Sequence, residues 1–251
     1  MIVIKTKDEI KKMQIAGKLL SEVHHNLREQ IKPGVKTIEL DRFVEKFLKD
    51  RGAYPEQKGY QGYPYSICAS VNDEICHGFP GEYVLKDGDI ITVDMVVNVD
   101  GWLADSAWSY AVGNISDEAQ KLLDVTRECM YKGIEKAVIG NRLGDIGNAI
   151  QTYAEENGYS VVREFVGHGI GRDMHEDPQV LHYGKPGRGI RIQEGMVFTV
   201  EPMINMGRHE LTIDDNGWTA RTLDHSLSAQ YEHQIAITED GPIIITDQGD
   251  C

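Results

Sequence analysis

The sequence predicts an α/β fold built from two similar halves around a carboxylate-lined centre. The order helix, helix, strands occurs twice, glycines recur at matched spacings in both passes, and each pass holds an apolar strand that runs into a carboxylate. LKDGDIITVDM aligns with IQEGMVFTVEPM: Gly88 precedes Asp94 by six residues, and Gly195 precedes Glu201 by six. Gly34 and Gly52 are eighteen residues apart, as are Gly140 and Gly158. The copies lie about 106 residues apart, roughly 5–112 and 115–245, inside one domain covering 1–251. A fused duplication of this kind implies a pseudo-twofold core with one carboxylate from each half at its centre.

Each element follows from local chemistry. Thr6-Lys7-Asp8-Glu9 is a capping-box pattern, and Ile10, Met13, Leu20, Val23 and Leu27 then recur at helical spacing until Pro33-Gly34. Thr37 is expected to cap a second helix with Phe43, Val44, Phe47 and Leu48 on one face and Gly52 as its stop. Residues 90–112 predict two strands around Asp100-Gly101, a pair suited to the left-handed positions of a tight hairpin. Ser116 opens a third helix through Ala119, Leu122, Leu123, Met130 and Ile134, with Gly140 beyond it. A fourth runs through Ile146, Ile150 and Ala154 to Asn157-Gly158.

Composition narrows the function. The 251 residues are 41% hydrophobic and 26% charged, which is enough for one large core. No stretch approaches the length of a membrane span, and MIVIKTKDEIKK carries charge where a signal peptide needs an apolar core. Cys68, Cys76, Cys129 and Cys251 form no C-x-x-C pair and are expected as free thiols in a reducing cytoplasm. A net charge of −14 argues against nucleic acid as a main partner, because phosphate binding needs a basic surface.

Five metal-capable side chains stand out: Asp94, Asp105, His168, Glu201 and Glu232. A two-residue turn at Asp100-Gly101 sets Asp94 opposite Ala107, so Asp105 is its diagonal neighbour on the same face. Two like charges held that close in an interior need a cation or a proton between them. His168 lies in Val166-Gly167-His168-Gly169-Ile170-Gly171, whose small residues permit close backbone approach. Glu201 closes the apolar run Phe198-Thr199-Val200, and Glu232 starts a β-type segment. Four carboxylates and an imidazole form a hard donor set suited to a catalytic Mn, Fe, Co or Zn site.

Asp94 with Asp105, Gly167-His168-Gly169-Ile170-Gly171, Thr199-Val200-Glu201-Pro202-Met203 and Ser226-Leu227-Ser228-Ala229-Gln230-Tyr231-Glu232-His233 resemble the methionine aminopeptidase family, bacterial single-domain (type I) class. So do Ser70-Val71-Asn72-Asp73-Glu74, Cys76-His77-Gly78 and the run from His175 to Tyr183. The likeness spans roughly residues 5–245 with its motifs in order. It implies the pita-bread fold: two pseudo-twofold halves, a central curved antiparallel sheet, and helices on its outer face.

The resemblance also implies an activity, the removal of the initiator methionine from nascent chains whose second residue is small. By position, Asp94, Asp105, His168, Glu201 and Glu232 would bind two divalent ions, with Glu201 as general base. His77 would contact the scissile amide nitrogen and His175 the carbonyl oxygen. Tyr60, Tyr63, Cys68, His77 and Trp218 would line the methionine pocket, and Asn72 and Ser228 match a monovalent-cation site. The implied partner is a nascent chain with a free, deformylated methionine. A cytoplasmic setting and a monomeric protein are expected, with ribosome contact no more than transient, since no amino-terminal docking extension is visible.

Two positions depart from the family pattern. Gln57 stands where some relatives carry a pocket-lining Cys, and Met174 precedes His175 where an aromatic is common. Proline-specific relatives usually carry a separate amino-terminal domain, whereas the first helix here begins almost at residue 6. Binding-only modules of this fold lose metal ligands, whereas all five are present. A phosphatase or nuclease would need a phosphate-cradling motif, and none is found.

Overall fold

A computed structural model describes residues 1–249, so Cys251 lies outside the described residues. The first half of the chain contains helices α1 (Lys7–Arg28) and α2 (Thr37–Lys49), strand β1 (Tyr54–Pro55), and a 3-10 turn at Tyr60–Gly62. Strands β2 (Cys68–Val71), β3 (Glu74–Cys76), β4 (Ile90–Val99) and β5 (Trp102–Ala111) follow. The second half opens again on two helices, α3 (Asp117–Glu135) and α4 (Leu143–Glu156). Its strands are β6 (Ser160–Val161), β7 (Gly167–Gly169), β8 (Glu176–Val180), β9 (Val197–Val200) and β10 (Met203–Asn205). They continue with β11 (Leu211–Ile213), β12 (Ala220–Thr222), β13 (Ser228–Gln230), β14 (His233–Thr238) and β15 (Gly241–Ile244).

Helix boundaries follow the expected caps, with one exception. Thr6 accepts from Glu9 N while Glu9 reaches back to Thr6 N, closing the capping box, a feature worth about 0.5–2 kcal/mol. Ser116 caps α3 through Ala119 N. For α2 the expectation is corrected: Lys36 is the N-cap and Thr37 the first helical residue. The Thr37 hydroxyl is engaged elsewhere, accepting from Gly81 N at 2.8 Å, so it cannot cap its own helix.

The repeat reaches beyond the features read from the sequence. Gly34 and Gly140 adopt φ of 94° and 99°, Gly52 and Gly158 71° and 83°, and Gly88 and Gly195 97° and 80°. Both second helices begin on a basic N-cap facing an acidic third residue, Lys36 with Glu39 and Arg142 with Asp145. Each of those caps also forms an isolated antiparallel bridge, Lys36 to Val84 and Arg142 to Arg191.

All strand pairings are antiparallel among the described residues. β4 carries β5 on one side and β1 and β2 on the other, and β15-β14-β9-β7-β8 forms a five-stranded sheet. Two three-stranded sheets, β13-β10-β6 and β11-β12-β3, complete the set. The largest apolar cluster joins the helices to the sheets, with Leu20 and Leu27 of α1, Leu122 and Met130 of α3, Met95 of β4 and Phe198 of β9 in common. Each such side chain contributes roughly 1.5–3 kcal/mol on burial.

The halves meet at β5. Glu232 N donates to Ala107 O at 2.9 Å, Ser109 Oγ donates to Gln230 O at 2.8 Å, and Asp105 N donates to Gln234 Oε1 at 2.9 Å. This seam brings the segment around Glu232 alongside the strand that bears Asp105. Among the described residues no helix is long and apolar enough to cross a membrane.

Candidate active site

The hairpin register places the first carboxylate pair. Asp94 pairs with Ala107 and Val96 with Asp105, so the two aspartates are diagonal neighbours as the turn requires. Asp100 and Gly101 supply the left-handed turn with φ of 53° and 78°.

His168 sits in the middle of β7, and its glycine neighbours are needed for space. A Cβ on Gly167 would lie 2.5 Å from Thr199 O, and one on Gly169 would lie 2.1 Å from Asp177 O. The ring is oriented by its Nδ1, 3.0 Å from Gly169 O, which leaves Nε2 with a free lone pair. That Nε2 is 3.6 Å from Asp105 Oδ2 and 3.5 Å from Glu201 Oε1. Glu201 follows the end of β9, and Glu232 stands between β13 and β14. Donor atoms of Asp105, His168 and Glu232 all lie within 4.8 Å of one another.

The electrostatics have one dominant cause. Burial pushes the Asp94 carboxyl up to about 7 and that of Glu201 up to about 8. Asp105 and Glu232 are raised well above the usual carboxylate range, by burial first and by neighbouring carboxylates second. Burial also lowers His168 and His77 to about 4, and it holds His175 below its ordinary value, so these rings are neutral at pH 7.

This donor set fits a divalent cation. Glu232 Oε1 is buried without a hydrogen-bond partner among the described residues, and Asp105, Glu201 and Glu232 crowd the His168 lone pair in a cavity that Asp94 also lines. A cation relieves both costs at once. Cys68 and Cys76 line the same space, but burial drives their thiols up, which keeps the soft thiolate out of the donor set.

All the donors face a cavity of about 220 Å³. Tyr60, Tyr63, Cys68, His77, His175 and Trp218 line it, as do Gln57 and Met174. Trp218 packs edge-on to Tyr63 with ring centroids 5.1 Å apart. Tyr63 is fixed by donating to Ile67 O and Gly78 O, so its ring, not its hydroxyl, forms the wall. Gln57 is keyed to β4, its Oε1 accepting from Val96 N at 2.9 Å. Asn72 and Ser228 are also neighbours, through Ser228 N donating to Asn72 O at 3.0 Å.

Several supporting residues escaped the sequence reading. Thr199 Oγ1 accepts from His168 N at 2.9 Å and donates to Glu201 Oε1 at 2.6 Å, joining two donors of the cluster. His182 Nε2 accepts from Glu201 N at 3.1 Å. Phe165 stands edge-on to His77 at 5.1 Å. Thr199 left a signal in the repeat, since Thr92 and Thr199 occupy the same place in its two copies, and His182 lies in the family-like run from His175 to Tyr183.

Residues 11–239 match the model of metallopeptidase family M24. The chain belongs to family M24. It is 52% identical to the methionine aminopeptidase of Clostridium perfringens over 246 residues, covering 98% of this chain and 99% of that protein. Methionine aminopeptidase 1 of Bacillus subtilis is also 52% identical, over 247 residues, with 98% and 99% covered. The crystal structure of methionine aminopeptidase from Rickettsia prowazekii superposes with a TM-score of 0.97 at 46% identity, covering 98% of this chain and all of that one. The M24 chain accordingly has the pita-bread architecture and is a metal-dependent peptidase, and Asp105, His168 and Glu232 form a cluster able to hold a metal ion.

Proposed function

We propose that this M24 peptidase removes the initiator methionine from polypeptides whose second residue is small. One observation carries the reading: a single cavity is lined by five metal-capable donors, two further histidines and an aromatic, sulfur-bearing wall. Asp94, Asp105, His168, Glu201 and Glu232 would hold two divalent ions of the Mn, Fe, Co or Zn type. When bound, such ions supply a nucleophile near neutral pH and a positive clamp for the developing oxyanion.

The chain's own groups do the rest. Glu201, made more basic by burial, takes a proton from the attacking water and passes it to the leaving amine. His175 donates to the carbonyl oxygen as it gains charge, and His77 contacts the scissile amide nitrogen. The free amino terminus of the substrate binds at the end of the cavity marked by Asp94 and Asp105, which restricts the enzyme to exopeptidase action. Tyr60, Tyr63, Cys68, His77 and Trp218 receive the methionine side chain, an unbranched thioether suited to aromatic and sulfur contacts.

The same reading describes one catalytic domain that acts as a cytoplasmic monomer on nascent chains with a free, deformylated methionine. Ribosome contact is no more than transient given the net charge of −14, and Asn72 and Ser228 would help hold a monovalent cation.

Hydrolysis of Met-Ala-Ser, Ala-Pro-Ala and Met-Lys-Ser, on chelated protein and after reloading with Mn, Fe or Co, tests the reading. Metal-dependent release of methionine from Met-Ala-Ser alone is expected. Cleavage of Ala-Pro-Ala instead would favour a proline-specific peptidase, and no cleavage with metal demonstrably bound would sink the enzymatic reading.

A further inference from the structure

An imidazole that donates to a carbonyl oxygen must carry its proton on the nitrogen facing that oxygen. A neutral ring has only one N–H, and the partner of the other nitrogen decides which one it is. In His175 that partner is Tyr60, whose Oη lies 2.8 Å from Nδ1, with ring centroids 5.3 Å apart. His175 Nε2 makes no hydrogen bond among the described residues, and His175 Nδ1 is the only partner of the Tyr60 hydroxyl there.

The placement of Tyr60 is built, not incidental. Its turn runs through Gly59, Gln61 and Gly62 at φ of 91°, 48° and 88°, a left-handed series that a non-glycine such as Gln61 rarely adopts. Backbone bonds close the turn: Tyr60 N donates to Gln57 O at 3.0 Å, Gly59 N to Tyr63 O at 2.6 Å, and Tyr63 N to Tyr60 O at 2.9 Å. The side chain of Gln57 locks the turn to β4 at Val96, two residues from Asp94. The pocket wall and the hydroxyl that reaches His175 are therefore one hydrogen-bonded unit.

We propose that Tyr60 is a positioning residue that donates to Nδ1 and so holds His175 in its Nε2–H tautomer, aimed at the substrate carbonyl. The opposite arrangement, Nδ1–H donating to the phenol oxygen, leaves a bare Nε2 lone pair against the carbonyl oxygen, where it repels the developing charge. This assignment rests on the role given to His175 in the proposed function, and it makes Tyr60 more than a wall of the methionine pocket.

Tyr60→Phe keeps the ring and removes only the hydroxyl. On Met-Ala-Ser the metal-loaded variant is expected to lose about tenfold to a hundredfold in kcat with KM within about twofold, less than the roughly 10²–10³ for removing an oxyanion donor outright. In a His175→Ala background the same substitution is expected to add nothing, as for two residues acting through one contact. Long-range proton–nitrogen NMR of the zinc-loaded wild type is expected to show His175 protonated at Nε2, with the variant shifted towards Nδ1. A raised KM with unchanged kcat would reduce Tyr60 to a pocket wall, and a wild-type His175 protonated at Nδ1 would overturn the proposal. If the wild type releases no methionine, the functional reading fails on its own, and the NMR result still decides the tautomer.

Discussion

Lys5 and Glu176, 171 residues apart in the chain, form an ion pair whose side chains are only 3% and 11% exposed. Glu176 follows His175 directly, and Lys5 N donates to Gly195 O at 2.8 Å, at the entry to the strand that leads to Glu201. Gly171 makes room for the pair, since a Cβ there would lie 2.5 Å from Glu176 Oε1 and 2.6 Å from Lys5 Cε. Residue 5 lies outside the span that matches the family model, yet it braces both sides of the site.

Lys5→Met leaves the Glu176 charge buried and unpaired. Urea unfolding is expected to register a loss of about 3–5 kcal/mol, with much of it recovered in the Lys5→Met, Glu176→Leu double variant. A loss below about 1 kcal/mol in the single variant would mean that water reaches Glu176 and that the pair does little for stability.

His175→Ala is expected to lower kcat by about 10²–10³ while retaining metal, because the proposed function assigns the ring to the carbonyl oxygen and not to the donor set. Asp105→Ala is expected to release metal together with activity. Elemental analysis of both purified proteins checks the contrast, and metal loss from the His175 variant would move that residue into the ligand shell.

The raised acids make metal binding and stability depend on pH. Asp94 at about 7 and Glu201 at about 8 hold protons more tightly in the folded chain than carboxylates do unfolded, at roughly 4. Their stabilising contribution in metal-free protein is complete below the unfolded value and disappears as pH rises through about 7 and 8. Buried His24 and His182, held down to about 3, are neutral in both states above pH 7 and leave this window undisturbed. The Tm of chelated protein is therefore expected to fall from about pH 6.5, where the histidines no longer offset the acids, to about pH 8, and to level off above that, while Mn affinity rises as protons cease to compete. Calorimetry in two buffers of different ionisation enthalpy reads the protons released; a value of zero at about pH 6.5 would contradict the assignment.

Gly169→Ala drives a methyl group into the Asp177 carbonyl of the neighbouring strand, where the register of β7 already shifts between His168 and Gly169. The expected result is a loss of about 1–3 kcal/mol and weaker metal binding, because His168 must move with the backbone. Gly81→Ala is the control, since a Cβ there would lie 3.9 Å from its nearest neighbour. Equal behaviour of the two variants in thermal melts would refute the steric argument.

The parts of the molecule legible in the sequence are those governed by short-range rules. The Asp94–Ala107 register followed from one turn and a period of two, and the Thr6 and Ser116 caps followed from side chains next to the helices they start. Matched glycines and the paired TVD and TVE segments gave the repeat. What stayed hidden depends on contacts across long stretches of chain. Thr37 does not cap α2 because a Gly81 amide, 44 residues away, holds its hydroxyl. Tyr60 with His175 and Lys5 with Glu176 are separated by 115 and 171 residues, and no periodicity encodes such meetings. The pairing of β3 with β12, which brings Trp218 against Tyr63, is hidden for the same reason.

The seam at β5 has a consequence for the cell. Asp94 and Asp105 come from one side of it, and His168, Glu201 and Glu232 from the other. A broken or half-unfolded chain thus carries an incomplete set of donors and cannot cut. For a peptidase, that is a safeguard: the blade exists only while the whole tool is assembled, and damage disarms it.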